Sequence, residues 1–162
     1  MGTRALPRFA VTYYEEERSG DVVLVGQWEM TLAERKFFSP ELLKTFARID
    51  STLQVHPDMH LTPGVDASTG ALGQGISVAL GMAMAAKLDG RDTRVYCLIG
   101  DGESQEGQVW EAAQTAAHYQ VNNLTVILDY NKVQLMGPVN EIMQVAPMAD
   151  KWHSFNWHVI EI

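Results

Sequence analysis

The sequence predicts an α/β protein: three layers, αβα, with helices on both faces of a mostly parallel sheet. Two observations carry that expectation. The first is the order of Arg94–Ile99 (RVYCLI), a helical stretch over Gly107–Tyr119, and Leu124–Asp129 (LTVILD). Short β-branched apolar runs on either side of a helix are the pattern of a βαβ unit. The second is the pair of turns closing those runs: Gly100-Asp101-Gly102-Glu103 after the first and Asn131 after the second. Open parallel sheets bind ligands at the carboxyl ends of their strands. A carboxylate and an amide oxygen there, beside glycines that let a phosphate approach backbone N–H groups, suit a magnesium diphosphate.

The remaining elements come in chain order. Residues 1–36 are expected to be a diverged or irregular segment, with Glu15-Glu16-Glu17-Arg18 as a solvated face or tail and a short strand over Asp21–Gly26. Residues 37–162 form the ligand-binding domain. Ser39-Pro40-Glu41 places an N-cap, a proline at the first helical position and an acid at the positive end of the dipole. Leu42, Leu43, Phe46, Ala47 and Ile49 then give a helical apolar stripe. The Gly, Pro, Thr and Ser content of His56–Gly75 reads as an ordered loop. Ala71–Leu88 is a helix rich in small residues, suited to close packing on its own sheet or on a second chain. Pro138–Pro147 is mostly extended, Met148–Phe155 a short helix and Trp157–Ile162 a last strand. A parallel sheet normally has helices on both faces, so a pattern that stops on a strand reads as part of something larger.

Composition excludes some classes of function. The 162 residues suffice for one domain with a sizeable core. The net charge of −8, without a long basic run, argues against nucleic acid or an anionic membrane surface as the main partner. An anionic cofactor would then need locally arranged donors or a metal. The single cysteine, Cys97, falls mid-strand as a small buried hydrophobe and excludes an intrachain disulfide. No apolar stretch is long enough for a bilayer, and Met1–Arg18 lacks the order of a secretory signal, so the cytoplasm is the expected location. Asn123-Leu124-Thr125 is formally a glycosylation sequon, but it runs into a buried strand. The eight methionines read as core filler.

Asp101 alone could cap the helix that comes after it. With Asn131 past the neighbouring strand it gains a second reading as a cation ligand, since two strand ends can face one crevice. The Asp101 and Asn131 side chains and a nearby carbonyl such as that of Val133 would be three protein oxygens. Two diphosphate oxygens and a water would complete the six that magnesium prefers. Glu106 taken alone is a first-turn acid. Glu111 and His118 are expected to be exposed or ordinary core partners, and His153 and His158 to pack near Trp152 and Trp157.

The wider text resembles a known family. His56-Pro57-Asp58, Thr62-Pro63-Gly64-Val65-Asp66, Ser68-Thr69-Gly70-Ala71-Leu72-Gly73-Gln74-Gly75 and the Gly100–Asn131 block are similar to transketolase, and more closely to the N-terminal subunit of split, two-gene transketolases. Trp157-His158-Val159-Ile160 continues the match. The resemblance implies the thiamin-diphosphate-binding fold and transfer of a two-carbon ketol unit between sugar phosphates, with thiamin diphosphate and magnesium or calcium as cofactors. It implies that Asp101, Asn131 and the Val133 carbonyl hold the metal, that Gly102, Glu103 and Asn131 sit at the diphosphate, and that Gly70 and Leu72 touch the aminopyrimidine side. Glu106 would join a catalytic carboxylate network reaching to the partner chain.

Two departures from the family pattern bear on turnover. The early Gly-His-Pro-Gly-Gly segment is absent, and Leu24-Val25-Gly26-Gln27-Trp28 stands where a Ser-Lys-Gly-His-Ala segment would fall. Glutamine cannot take up a proton near neutral pH as imidazole does, so substrate-side histidines are not visible. The carboxylate that promotes cofactor ionisation lies, by resemblance, on a C-terminal partner subunit carrying the pyrimidine-binding domain. The expected assembly is therefore α2β2, with a homodimer contact. Other readings stay open: a subunit of a 2-oxo acid dehydrogenase or of a deoxyxylulose-phosphate synthase, or a silent copy that binds the partner without turnover.

Overall fold

The computed structural model describes residues 8–9, 22–25 and 29–162. Glu15–Arg18 and Gly26–Trp28, on which two of the expectations fall, lie outside them. The main sheet has five strands: β1 (Arg8–Phe9), β2 (Val22–Val25), β3 (Arg94–Gly100), β4 (Leu124–Asp129) and β7 (His158–Val159). Their order is β2-β3-β4-β1-β7, and every ladder is parallel. A two-stranded antiparallel ribbon, β5 (Val133–Gln134) with β6 (Gly137–Pro138), comes after β4. The helices are α1 (Glu29–Glu34), α2 (Gln74–Leu88), α3 (Gly107–His118), α4 (Val139–Ile142) and α5 (Met148–Ser154). The α/β class and the central β3-α3-β4 unit are as the sequence predicts.

The core forms where alternating positions of β3 and β4 meet α2 and α3. Val95, Cys97 and Ile99 of β3 and Leu124, Val126 and Leu128 of β4 are buried with Ile76, Ala79 and Ala83 of α2 and Val109, Ala113 and Ala116 of α3. Alanines on both helices let their axes approach the sheet and each other. The outer side of α2 is different, since Val78, Gly81 and Ala85 are exposed. Trp152 and Trp157 meet edge to face at 4.9 Å, and the Trp157 Nε1–H donates to the Ala113 carbonyl. That pair pins the end of the chain to α3.

Several local expectations are corrected. The helix predicted after Ser39 is a single 3₁₀ stretch, Pro40–Thr45. Its cap forms as expected, with Glu41 N–H donating to Ser39 Oγ. The helix then stops because Ala47 adopts a left-handed conformation and its N–H is captured by the Leu53 carbonyl, leaving Ile49 98% exposed. α2 begins at Gln74, later than expected, because Gly73 is also left-handed (φ 80°), a conformation glycine adopts without steric cost. Within the stretch read as extended, Val139–Ile142 is a helical turn. The last strand shrinks to two residues. Met148 is buried and Met82 and Met84 pack partly buried against the core, whereas Met30, Met59, Met136 and Met143 are exposed, so core filling describes some of the described methionines and not others. His153 and His158 are exposed while the tryptophans beside them are buried, so they do not pack as expected. Glu111 and His118 are exposed.

At the end of the strands opposite the glycine turns, Asn123 Nδ2 donates to the carbonyls of Ala83 (2.9 Å) and Thr93 (3.1 Å). The nitrogen that a glycan would need is therefore committed to tying α2 to the start of β3. Asn123→Ala removes both of these bonds and should lower unfolding free energy by about 1–3 kcal/mol in urea titrations. Burial pushes the Cys97 thiol up, and the Glu103 charge adds to it. The folded chain thus keeps this proton where the unfolded chain releases it, and stability falls as pH rises past about 8.5. The advantage of the wild type over Cys97→Ala should narrow by about 1.4 kcal/mol per pH unit above that point.

Candidate functional site

The parallel register sets Gly100 opposite Asp129, so β3 and β4 end side by side. The chain then turns at Asp101 and at Tyr130-Asn131. Asp101 is 2% exposed. Its Oδ1 accepts the Gly102 N–H at 2.7 Å, and its Oδ2 accepts the Lys132 N–H, from the other strand-end loop, at 2.7 Å. Its own N–H donates to the Asp129 carbonyl at 3.2 Å. One carboxylate thus fastens both loops. Lys132 sits at φ 66° at that contact, a conformation unusual for a residue with a Cβ and held here by the bond to Asp101.

Asn131 is pinned beside it. Its Oδ1 accepts the Val133 N–H at 2.9 Å and its Nδ2 donates to Asp129 Oδ2 at 3.0 Å. Val133 opens the ribbon immediately after. Gly102 lies against the ribbon, where a Cβ would come 3.0 Å from Gln134 Cβ. Gln105 donates to Gln134 Oε1 (2.7 Å) and to the Met143 carbonyl (3.2 Å), closing the acidic turn against β5. Asp101, Gly102, Asn131 and Val133 therefore share one edge of the sheet.

Glu103 joins this edge to the glycine-rich loop. Its Oε1 accepts the Gly73 N–H at 2.9 Å and its Oε2 the Gly100 N–H at 3.3 Å. A cavity of about 410 Å³ opens there, lined by His56, Gly70, Leu72, Gly100, Glu103 and Asp129 among others. Leu72 is 60% exposed at its mouth. Gly70 is glycine because a Cβ would come 2.7 Å from the His56 ring. Glu106, exposed, stands before α3, and a Cβ on Gly73 would come 2.9 Å from its own Cβ. Gly70, Leu72 and Glu103 share the cavity, then, while Glu106 flanks the loop that forms it.

The residues present fit a divalent cation with a diphosphate. A nearly buried carboxylate is costly without a counter-charge, and none of the ion pairs among the described residues includes Asp101. Two of its roughly four acceptor positions are taken by backbone N–H groups, which leaves capacity for a cation. Among the described residues no cluster of three His, Cys, Asp or Glu exists, so the donor set is one carboxylate, one amide and backbone. That hard-oxygen set suits magnesium or calcium rather than zinc.

Residues 31–162 match the family described as transketolase, thiamine diphosphate binding domain. The chain belongs to that family. It is 47% identical over 131 residues to a 6-deoxy-6-sulfo-D-fructose transketolase subunit of Clostridium sp. (strain MSTE9), covering 81% of this chain and 48% of that protein. It is 46% identical over 136 residues to one subunit of the apulose-4-phosphate transketolase of Actinobacillus succinogenes, covering 84% and 49%. This member of the transketolase family thus spans about half the length of those relatives. A crystal structure of a transketolase variant from Pichia stipitis superposes with a TM-score of 0.72 at 29% identity, over 88% of this chain and 23% of that one. Transketolase from Campylobacter jejuni gives 0.67 at 31%, over 84% and 23%.

Two residues at the site have no role that sequence reasoning assigns. His56 falls within a motif, and the fold brings its imidazole to the cavity wall. Its signal is Gly70, kept small by the ring that faces it, which spacing along the chain does not reveal. Asp129 reads from the sequence only as a strand end. Glu103, expected beside the diphosphate, lines the cavity but uses both oxygens on backbone N–H groups. Glu103→Ala should therefore cost about 1–3 kcal/mol of stability, since two donors lose their acceptor, while Glu103→Gln keeps one bond and loses less. Urea unfolding of the two variants gives the comparison.

Proposed function

We propose that this chain supplies the diphosphate- and cation-holding half of a split transketolase, which transfers a two-carbon ketol group between sugar phosphates. The buried Asp101 carboxylate carries this reading, because it binds both strand-end loops and lacks a cationic partner among the described residues. Asp101, Asn131 and the Val133 carbonyl would hold magnesium, and the Gly102 turn would take the diphosphate. Bound thiamin diphosphate would supply the nucleophilic carbon and store the electron pair left when the donor's carbon–carbon bond breaks.

The chain's own residues have distinct tasks. Leu72 and Gly70 give an apolar, close-fitting wall for the ring side of the cofactor. His56 stands in the same cavity, where its ring nitrogens would offer hydrogen bonds to a substrate. Glu106, exposed ahead of α3, is free to meet a carboxylate of a partner subunit. The open cavity and the naming of the relatives as transketolase subunits support a C-terminal partner with the pyrimidine-binding domain, in an α2β2 assembly. The relatives' names point to donors with an anionic tail, a sulfonate or a phosphate, and to carbohydrate metabolism of the pentose phosphate type. A buried lone thiol fits a cytoplasmic enzyme, and no helix among the described residues is long and apolar enough to cross a membrane.

Calorimetry on this chain with its partner, with and without a chelator, is the direct check. Thiamin diphosphate should bind only with magnesium or calcium present, and Asp101→Ala should weaken it at least about tenfold. Equal affinity in chelator would defeat the reading. Ketol transfer from a ketose phosphate, with no turnover of pyruvate, separates it from a 2-oxo acid dehydrogenase. Co-purification without any transfer would instead identify a silent copy.

A further inference from the structure

Asn131 can serve a cation only through its oxygen, yet its side chain has two ends of nearly equal shape. Something must decide which end is presented. Its Nδ2 donates to Asp129 Oδ2 at 3.0 Å, while its Oδ1 accepts the Val133 N–H at 2.9 Å. An ionised carboxylate only accepts hydrogen bonds, and a backbone N–H only donates. Turning the amide over would set Asn131 Oδ1 against a carboxylate oxygen and its NH₂ against another N–H, so both contacts would become repulsive at once. In the observed orientation Oδ1 keeps its second lone pair, and it lies against the Lys132–Val133 backbone that Asp101 also grips.

We infer that Asp129 is a positioning residue that locks the Asn131 amide with its oxygen toward the cation site beside Asp101; this rests on the cation reading proposed above. The backbone of Asp129 is already fixed, since its carbonyl accepts the Asp101 N–H and its residue pairs with Gly100. Its side chain is exposed at the edge of the cavity and lies outside the core cluster, so its removal leaves the core intact. A partner that holds a metal ligand from behind typically changes metal affinity by about 10–100-fold.

The test uses Mn²⁺ with thiamin diphosphate as the probe, on the chain assembled with its partner and followed by electron paramagnetic resonance. Asp129→Ala should bind Mn²⁺ about tenfold more weakly, whereas Asp129→Asn, whose amide oxygen can still accept from Asn131 Nδ2, should stay within about threefold of the wild type. Unfolding midpoints of both variants should match the wild type. Equal losses in the two variants would overturn the inference, because they would show that the charge itself holds the cation. A second readout needs no cation. In ¹⁵N-labelled chain the Asn131 NH₂ protons, assigned by their disappearance in Asn131→Asp, should exchange slowly in the wild type and in Asp129→Asn and quickly in Asp129→Ala. Fast exchange in the wild type overturns the lock directly. A wild type that binds no Mn²⁺ overturns the proposed function, and the inference with it. Failure of the lock alone looks different: the wild type and Asp129→Ala bind Mn²⁺ equally.

Discussion

The Asp101 carboxylate is the constraint on which the site depends. Parallel pairing brings β3 and β4 to a common end, but strands that merely stop together do not make a binding edge. Asp101 converts the two endings into one unit by accepting an N–H from each loop. The burial that makes this anion costly would, on the cation reading proposed above, favour a small, doubly charged ion over a monovalent one. Both neighbouring loops take their shape from this contact, including the left-handed Lys132 that carries the chain past Asn131 into the ribbon.

Much of this is legible in the amino-acid order alone. The βαβ unit announces itself through β-branched runs of the right length and through glycines at the strand ends, and Asp101 and Asn131 fall where the topology of parallel sheets places ligands. The rest is hidden for identifiable reasons. A strand of two residues, such as Arg8–Phe9, cannot display a period, yet parallel pairing on both sides places it inside the sheet. The helix expected after Ser39 has the cap and the stripe, but a tertiary contact from Leu53 outweighs both. The exposed methionines show that a flexible apolar side chain does not by itself indicate where it lies. His56 meets Gly70 across the loop, and the turn after β4 decides which side chain Asp129 touches, so their placement belongs to the fold alone.

The half-open form of the cavity arises from the same elements. Its floor is the end of β3, its wall the loop carrying Gly70 and Leu72, and its mouth exposes an apolar side chain. Leu98, Ile99 and Gly100 form the closed end, and in the proposed assembly a second protein surface would complete the enclosure at the open end.

Glu103 has a consequence of its own. Because a single side chain clasps both Gly73 and Gly100, the glycine loop and the strand end behave as one rigid piece. The ordering of that loop is settled when the chain folds, so an incoming molecule meets a formed socket and gives up little motion in shaping it.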